Sequence, residues 1–432
     1  MSESLARPAA HDEAVQAPVG NKRRRMVQSL TVAGAGPNQP TESRWIPVPD
    51  VPVRPILSLR TFFGGNRSPQ PCVLDQGYCL DVSAGRIAIA RALEMMGLGP
   101  DDKVLVPAYH CASMIDPLAW VDAKPIFYRL RADLSADLAD IEAKLNPKIR
   151  ALVIAHYFGF PQDLPAYRKF CDKHGLFLVE DCAHSLFGSD RGVPLGTVGD
   201  YAITSLTKFL PVREGGALVT KDPSAQTIKL ASQGLMVGLM ETFSTLQESL
   251  YHKRLGLLLP LVRAVEAARL LLRNRRTGQE RRINPAQARS GAQGEIDWSW
   301  IDVKASPVTA VISRFASRRR LIESRISNYR RLADAFIGLP GCRVLRPELS
   351  EGTVPYMFPL WIDNLDEVFP RLEDEAVPMQ RFGQFLWSGV DNTVCEHSVA
   401  LSKHLVQFPC HQELTSEEID WIIATVIKTL KA

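Results

Sequence analysis

The 432-residue sequence has no CxxC pair and no histidine or cysteine cluster at metal-ligand spacing. Its eight cysteines (Cys72, Cys79, Cys111, Cys171, Cys182, Cys342, Cys395 and Cys410) are scattered along the chain, which argues against an iron–sulfur centre or a structural metal and for reduced thiols. It also lacks a strong charge bias. Lys plus Arg total 51 against 47 for Asp plus Glu, a net charge of +4, too mild to indicate a nucleic-acid partner. The first residues have no apolar signal-peptide core, so secretion is not expected. The longest apolar stretch, residues 255–272, is interrupted by Pro260, Arg263, Glu266 and Arg269, and charges at that spacing exclude a spanning helix. These absences point to a cytoplasmic protein. An apolar share of 46% with 23% charged residues is the profile of an enzyme-sized folded body of two to three domains.

Residues 1–50 are rich in Ala, Pro and Gly, carry the basic run Lys22 to Arg25, and read as a solvated tail. From residue 51 to 225 short apolar runs alternate with helical patterns. GRIAIARALEMMGLG precedes KVLVPAY, and AKPIFYRL, ALVIAHYFG, LFLVEDCAHS, YAITSL and GALVT follow with helices between several of them. This alternation predicts an α/β domain with a mostly parallel sheet covered on both faces, its functional groups at the carboxyl ends of the strands. Residues 226–300 read as a helical insertion with a basic end (Arg269, Arg273, Arg275, Arg276, Arg281 and Arg282). It is open to three roles: an interface or lid helix pair, an amphipathic surface that lies on a membrane through residues 250–285, or a solvated decoration. SRRRLIESRISNYRRLADAF predicts a long surface helix, and residues 301–432 a smaller α+β domain.

The chemistry is concentrated between Val179 and Thr220. Asp181 ends a strand, Thr204, Ser205 and Thr207 form a hydroxyl cluster, Lys208 follows Asp181 by 27 residues, and a Glu-Gly-Gly turn follows Lys208. Upstream, Ser83-Ala84-Gly85-Arg86 opens a helix whose first amides and dipole can hold a phosphate. Singly each has an ordinary structural explanation: a strand-end cap, a surface lysine, a tight turn. Together, a lysine for a Schiff base, a carboxylate for a pyridine nitrogen and a phosphate cradle are what pyridoxal 5'-phosphate requires.

These segments resemble the DegT/StrS-like family of pyridoxal-phosphate enzymes, known as nucleotide-sugar aminotransferases of the aspartate aminotransferase fold (fold type I). The resemblance rests on Ala84 to Ile89, Gly99 to Pro107, His156 to Gly159, Glu180 to His184, Lys208 with Glu214-Gly215-Gly216, and Phe408-Pro409-Cys410-His411 followed by LTSEEIDWI. It implies a large domain with a mostly parallel seven-stranded sheet sandwiched by helices. Lys208 would then hold the cofactor and shuttle the proton, Asp181 would pair with the pyridinium, and His184 would approach the phenolic oxygen. Gly85 and Arg86 would bind the phosphate. The usual phosphate serine is Ile203 here, so Thr204 or Ser205 is expected to supply that hydroxyl. The usual ring-stacking aromatic is Cys111, so Tyr109 or His110 is expected to stack. No Asn-x-Arg is evident where family members reach across a dimer; Asp302 to Pro307 stands there, with Lys304 as the available cation.

The resemblance implies an aminotransferase moving an amino group from an amino acid, glutamate in the first instance, to a keto sugar on a nucleotide, working as a homodimer without metal or nucleic acid. Two alternatives are a sugar dehydratase of the same fold, disfavoured because such members carry histidine where Lys208 stands, and a cofactor-binding protein that has lost catalysis.

Overall fold

The computed structural model describes residues 24–28, 43–65, 67–256 and 297–432. Two short strands, β1 (Arg24–Gln28) and β2 (Ser43–Pro47), pair antiparallel. This part of the stretch expected to be a tail is therefore strand, and β2 lies beside a helix of the C-terminal domain. The Arg-rich end expected for the insertion falls outside the described residues.

Seven strands form the central sheet: β3 (Tyr78–Val82), β4 (Lys103–Pro107), β5 (Lys124–Tyr128), β6 (Ile149–Ala155), β7 (Phe177–Asp181), β10 (Tyr201–Ser205) and β11 (Gly216–Thr220). A small hairpin, β8 (Ser189–Asp190) with β9 (Val193–Pro194), sits between β7 and β10. The order across the sheet is β3-β11-β10-β7-β6-β4-β5, and only β11 runs against its neighbours. Runs such as ALVIA in β6 and GALVT in β11 are apolar at nearly every position because both faces of the sheet are covered. The expected mostly parallel, seven-stranded sheet is present.

Around the sheet lie α1 (Gly85–Met95), α2 (Ala112–Ile115), α3 (Leu138–Ala143) and α4 (Leu164–His174), followed by α5 (Leu235–Tyr251). Helix α4 shows how the sequence sets these limits. Pro165 stands in its first turn, and Gly175, at φ 65°, ends it in the left-handed conformation that glycine adopts without strain. The smaller domain contains α6 (Pro307–Phe315), α7 (Arg318–Phe336), α8 (Leu365–Asp374), α9 (Asn392–His404) and α10 (Ser416–Lys431), with the antiparallel sheet β12 (Cys342–Val344), β13 (Met357–Ile362) and β14 (Leu405–Pro409). The LTSEEI segment is a capping box. Thr415 Oγ1 accepts from Glu418 N at 3.2 Å, and the Glu418 carboxylate accepts from Thr415 N at 2.9 Å.

Register brings the functional ends together. Gly216 is paired with both Val82 and Ser205, while Asp181 is paired with Ala155 and Ile203. The end of β7, the end of β10 and the start of α1 thus share one edge of the sheet.

Candidate active site

A cavity of about 870 Å³ opens at that edge, and Gly85, Arg86, Asp181, His184, Ser205 and Lys208 are in its wall. Lys208 ends the single turn that follows β10. Its backbone carbonyl accepts from Arg325 at 2.9 Å, and its Nζ lies 5.5 Å from the centroid of the Tyr356 ring. Burial pushes the Lys208 amine below its ordinary range, opposed by Cys111 and Asp181 and aided by Arg54. Burial raises Asp181 in turn, opposed by the charge of Lys208 and by the Ala183 amide, which donates to Asp181 Oδ1 at 2.8 Å. Desolvation disfavours both charges, and a cation held against Asp181 would restore its ionised form.

His184 lies between elements of both domains. Its ring stacks on Tyr356 at 4.7 Å and meets Phe382 edge-on at 4.9 Å. Its Nδ1 accepts from the Phe158 amide at 3.3 Å, which leaves Nε2 to carry the proton. Burial and then Lys208 hold this histidine neutral, well below its usual range.

The His156-Tyr157-Phe158-Gly159 turn docks the smaller domain here. Phe158 adopts φ 57° and its carbonyl accepts from Tyr356 N at 2.8 Å. A Cβ on Gly159 would stand 2.3 Å from the Val354 carbonyl oxygen. His156, Glu180 and Cys182 place donor atoms within 4.8 Å of one another, a spacing that could suit a metal. The histidine and the carboxylate are otherwise engaged. Glu180 accepts from His156 Nε2 at 3.4 Å and from the amides of Gly196, Val198 and Gly199 at 2.7, 2.8 and 2.5 Å. Burial drives the Cys182 thiol well up. This cluster braces the end of β7 next to Asp181.

Helix α1 begins at Gly85 without a capping side chain, because its N-cap is Ala84; the positive end of its dipole therefore remains for a ligand. The Glu214-Gly215-Gly216 turn fixes this start. Gly215, at φ 114°, donates to the Ser83 carbonyl at 2.8 Å, and a Cβ on Gly216 would sit 2.5 Å from Gly85 N. The Glu214 carboxylate accepts from Ser306 N at 2.9 Å and from Thr309 Oγ1 at 2.6 Å.

Three expected residues are not in the wall. Thr204 is buried and donates to the Cys182 carbonyl at 3.2 Å. Alternation along β10 sends Ile203 and Ser205 to the cavity and Thr204 away, and Thr207, whose Oγ1 lies 3.3 Å from Ser205 Oγ, joins them. Tyr109 is fully buried and donates to the Phe382 carbonyl at 2.7 Å. His110 is buried against Phe127 at 4.9 Å, with Nε2 accepting from Trp387 N at 3.0 Å. Neither can stack on a ligand in this cavity, whereas Cys111 lines it. Lys304 is outside the wall of this chain's cavity, its amide donating to the Ala231 carbonyl at 3.0 Å.

The segment from Val48 to Leu57, on the border of the expected tail, is among the parts of the wall that no motif announced. Its signal in the sequence is Pro49, Pro52 and Pro55 at three-residue spacing, the mark of a stiff extended strap.

The DegT/DnrJ/EryC1/StrS aminotransferase family model matches residues 73–255. Among curated proteins, GDP-perosamine synthase of Vibrio cholerae is 30% identical over 162 residues, 36% of this chain and 44% of that protein. The dTDP-3-amino-3,4,6-trideoxy-alpha-D-glucose transaminase of Micromonospora megalomicea is 36% identical over 149 residues, 34% of this chain and 40% of that protein. The chain thus spans less than half the length of these relatives. Among solved structures, the aminotransferase TlmJ of Streptoalloteichus hindustanus superposes with a TM-score of 0.58 at 20% identity, over 82% of this chain and 86% of that one. NtdA of Bacillus subtilis with bound cofactor PMP superposes with a TM-score of 0.56 at 18% identity, over 83% of this chain and 74% of that one. Residues 73–255 thus resemble the DegT/DnrJ/EryC1/StrS aminotransferase family, and the chain has the fold type I scaffold that these solved structures share.

Proposed function

We propose that the chain is a pyridoxal-phosphate aminotransferase that moves an amino group from an amino acid, glutamate in our reading, to a keto sugar carried on a nucleotide. The observation that carries this reading is the convergence of Lys208, Asp181 and the Gly85 helix start on one cavity. The residues present fit the cofactor: an amine, a carboxylate and an uncapped helix N-terminus beside the hydroxyls of Ser205 and Thr207. When bound, pyridoxal phosphate supplies the aldehyde and the electron-accepting ring. Asp181 holds positive charge at the ring nitrogen, and His184 offers Nε2–H to the phenolic oxygen. Gly85, Arg86, Ser205 and Thr207 hold the phosphate. The Lys208 amine would hold the cofactor and would serve as the base that moves the proton at the donor's Cα. Its lowered basicity favours that role. The retained lysine disfavours the dehydratase reading.

Sugar specificity is supported by the relatives, which the names perosamine synthase and amino-sugar transaminase assign to sugar amination. A homodimer is supported by an apolar face on the adjoining helices α5 and α6, where Met236, Leu239, Val311 and Phe315 are exposed. We place the protein in the cytoplasm; no helix among the described residues is long and apolar enough to cross a membrane. A membrane-facing role for residues 250–285 rests on the sequence alone, and flotation with anionic vesicles tests it.

The function is tested by loading the purified protein with pyridoxal phosphate and following its visible absorbance. Glutamate should bleach the band to the pyridoxamine form, and Lys208→Ala should never acquire it. A band that no amino acid alters would favour the cofactor-binding alternative.

A further inference from the structure

Four arginines stand in the wall of the cavity: Arg54, Arg86, Arg213 and Arg381. Arg213 pairs with Glu248 at 2.7 Å. Arg381 faces Asp366 at 3.8 Å and donates to the Ser402 carbonyl at 2.8 Å. Arg86 feels the charge of Asp116. Among the described residues no carboxylate pairs with Arg54, which is exposed to the cavity. Its charge acts on both Lys208 and Tyr356, so it stands on the reacting side of the cavity.

The mount of this side chain is rigid. Prolines at 49, 52 and 55 fix the local backbone, and Val51, Pro52, Pro55 and Ile56 are buried. Two histidines tie the strap to the body: His252 Nδ1 donates to the Asp50 carbonyl at 2.6 Å and His411 Nε2 to the Pro52 carbonyl at 2.9 Å. His411 Nδ1 accepts from Glu413 N at 3.3 Å, which fixes that tautomer. Holding an unpaired guanidinium in place this way lowers the cost of engaging a ligand.

We propose that Arg54 is the anion receptor of the cavity, taking a carboxylate or phosphate group of a substrate by paired N–H···O contacts. The proposal rests on the reading of the Lys208 cavity as the catalytic one. The group has two sources, the carboxylate of the amino donor and the phosphates of a nucleotide-linked acceptor. Both present the paired oxygens that a guanidinium fork matches. No motif announced Arg54, because its strap meets Lys208 only through the fold.

The test uses the full-length protein loaded with pyridoxal phosphate, as wild type, Arg54→Gln and Arg54→Lys, titrated calorimetrically with maleate and separately with dTDP. Arg54→Gln should weaken one of the two anions by about 10- to 100-fold, leaving the cofactor absorbance and the melting temperature unchanged. Arg54→Lys should recover only part of the loss. A loss confined to maleate assigns the donor carboxylate, and one confined to dTDP assigns the acceptor phosphates. Wild-type affinity of Arg54→Gln for both anions overturns the proposal, as does failure of the wild type to bind either. Weakened cofactor retention in Arg54→Gln overturns it too, since Arg54 would then serve the cofactor. Should the wild type acquire no visible band, the catalytic reading of the cavity fails by itself; the anion titrations need no turnover and still decide the role of Arg54.

Discussion

The guanidinium of Arg325 donates to the backbone carbonyl of Lys208 at 2.9 Å from a fully buried position in which no carboxylate meets it among the described residues. It also reaches the carbonyls of Pro355 and Tyr356 at 3.2 and 2.8 Å and Gln412 Oε1 at 3.1 Å, and it lies 4.4 Å from the Phe209 ring centroid. Burial pushes this arginine down only to about 10, so it stays charged and is neutralised by carbonyl dipoles. One side chain of the smaller domain thereby fixes the backbone of the lysine in the larger one.

Removing that clamp orphans several buried acceptors at about 1–3 kcal/mol each. Arg325→Leu is expected to lose about 3 kcal/mol or more in urea unfolding. Arg325→Lys keeps charge but cannot span the same acceptors. It should fold, shift the absorbance maximum of bound pyridoxal phosphate and lower kcat more than it raises KM for the donor. An unchanged spectrum and kcat in a folded Arg325→Lys would reduce the residue to packing.

Gly216 makes a second sharp prediction. A Cβ there would stand 2.5 Å from both the Ala84 carbonyl carbon and Gly85 N, so Gly216→Ala must push the start of α1 out of the cavity wall. We expect a stability loss of about 1–3 kcal/mol and at least about 10-fold weaker retention of the cofactor, measured by dialysis. Gly99→Ala is the control, since nothing lies within 4 Å of that position.

How far the sequence disclosed this site depends on where each constraint acts. Asp181, Lys208 and Gly85 were legible because strand end, turn and helix start are local patterns that must recur at one sheet edge. Choosing Ser205 over Thr204 was within reach too, since Ile203 and Ser205 share a strand parity. Tyr109 and His110 were misjudged because both follow β4 toward the cavity in sequence yet are held by Phe382 and Trp387, more than 270 residues away. Arg54 and Arg325 were silent for the same reason: their partners come from distant segments. Strand β3, short and polar at alternate positions, gave a weak signal, and only its pairing with β11 makes it part of the sheet.

Acid should destabilise the fold through buried neutral histidines. His411 is pushed down to about 3 by burial and nearby Arg325, and His110 to about 4 by burial. Below the unfolded value of about 6.5 the unfolded chain takes up protons that the folded chain refuses, so stability falls as pH falls from there toward the folded values. At pH 5 the loss is about 2 kcal/mol for each histidine. Urea unfolding between pH 7 and 5 should show this. His411→Gln keeps an N–H for the Pro52 carbonyl and should flatten the slope by about 1 kcal/mol per pH unit across that range. An unaltered slope would mean that His411 is protonated in the fold.

The hydroxyls on β10 and its turn separate binding from packing. Ser205 and Thr207 face the cavity 3.3 Å apart, whereas Thr204 spends its hydroxyl on the Cys182 carbonyl beneath the sheet edge. Ser205→Ala should weaken retention of pyridoxal phosphate by about 10-fold, the worth of a hydrogen bond to a charged oxygen, with little change in melting temperature. Thr204→Val preserves shape but removes one of the two hydrogen bonds at the Cys182 carbonyl, which keeps the one from Ser185 N at 2.9 Å. It should cost about 1–2 kcal/mol of stability while leaving cofactor affinity within about twofold. Both variants are read by the same absorbance titration and urea curve. If Thr204→Val were the one to lose the cofactor, the strand parity that sends Ser205 to the phosphate would be wrong, and with it the placement of the whole cradle.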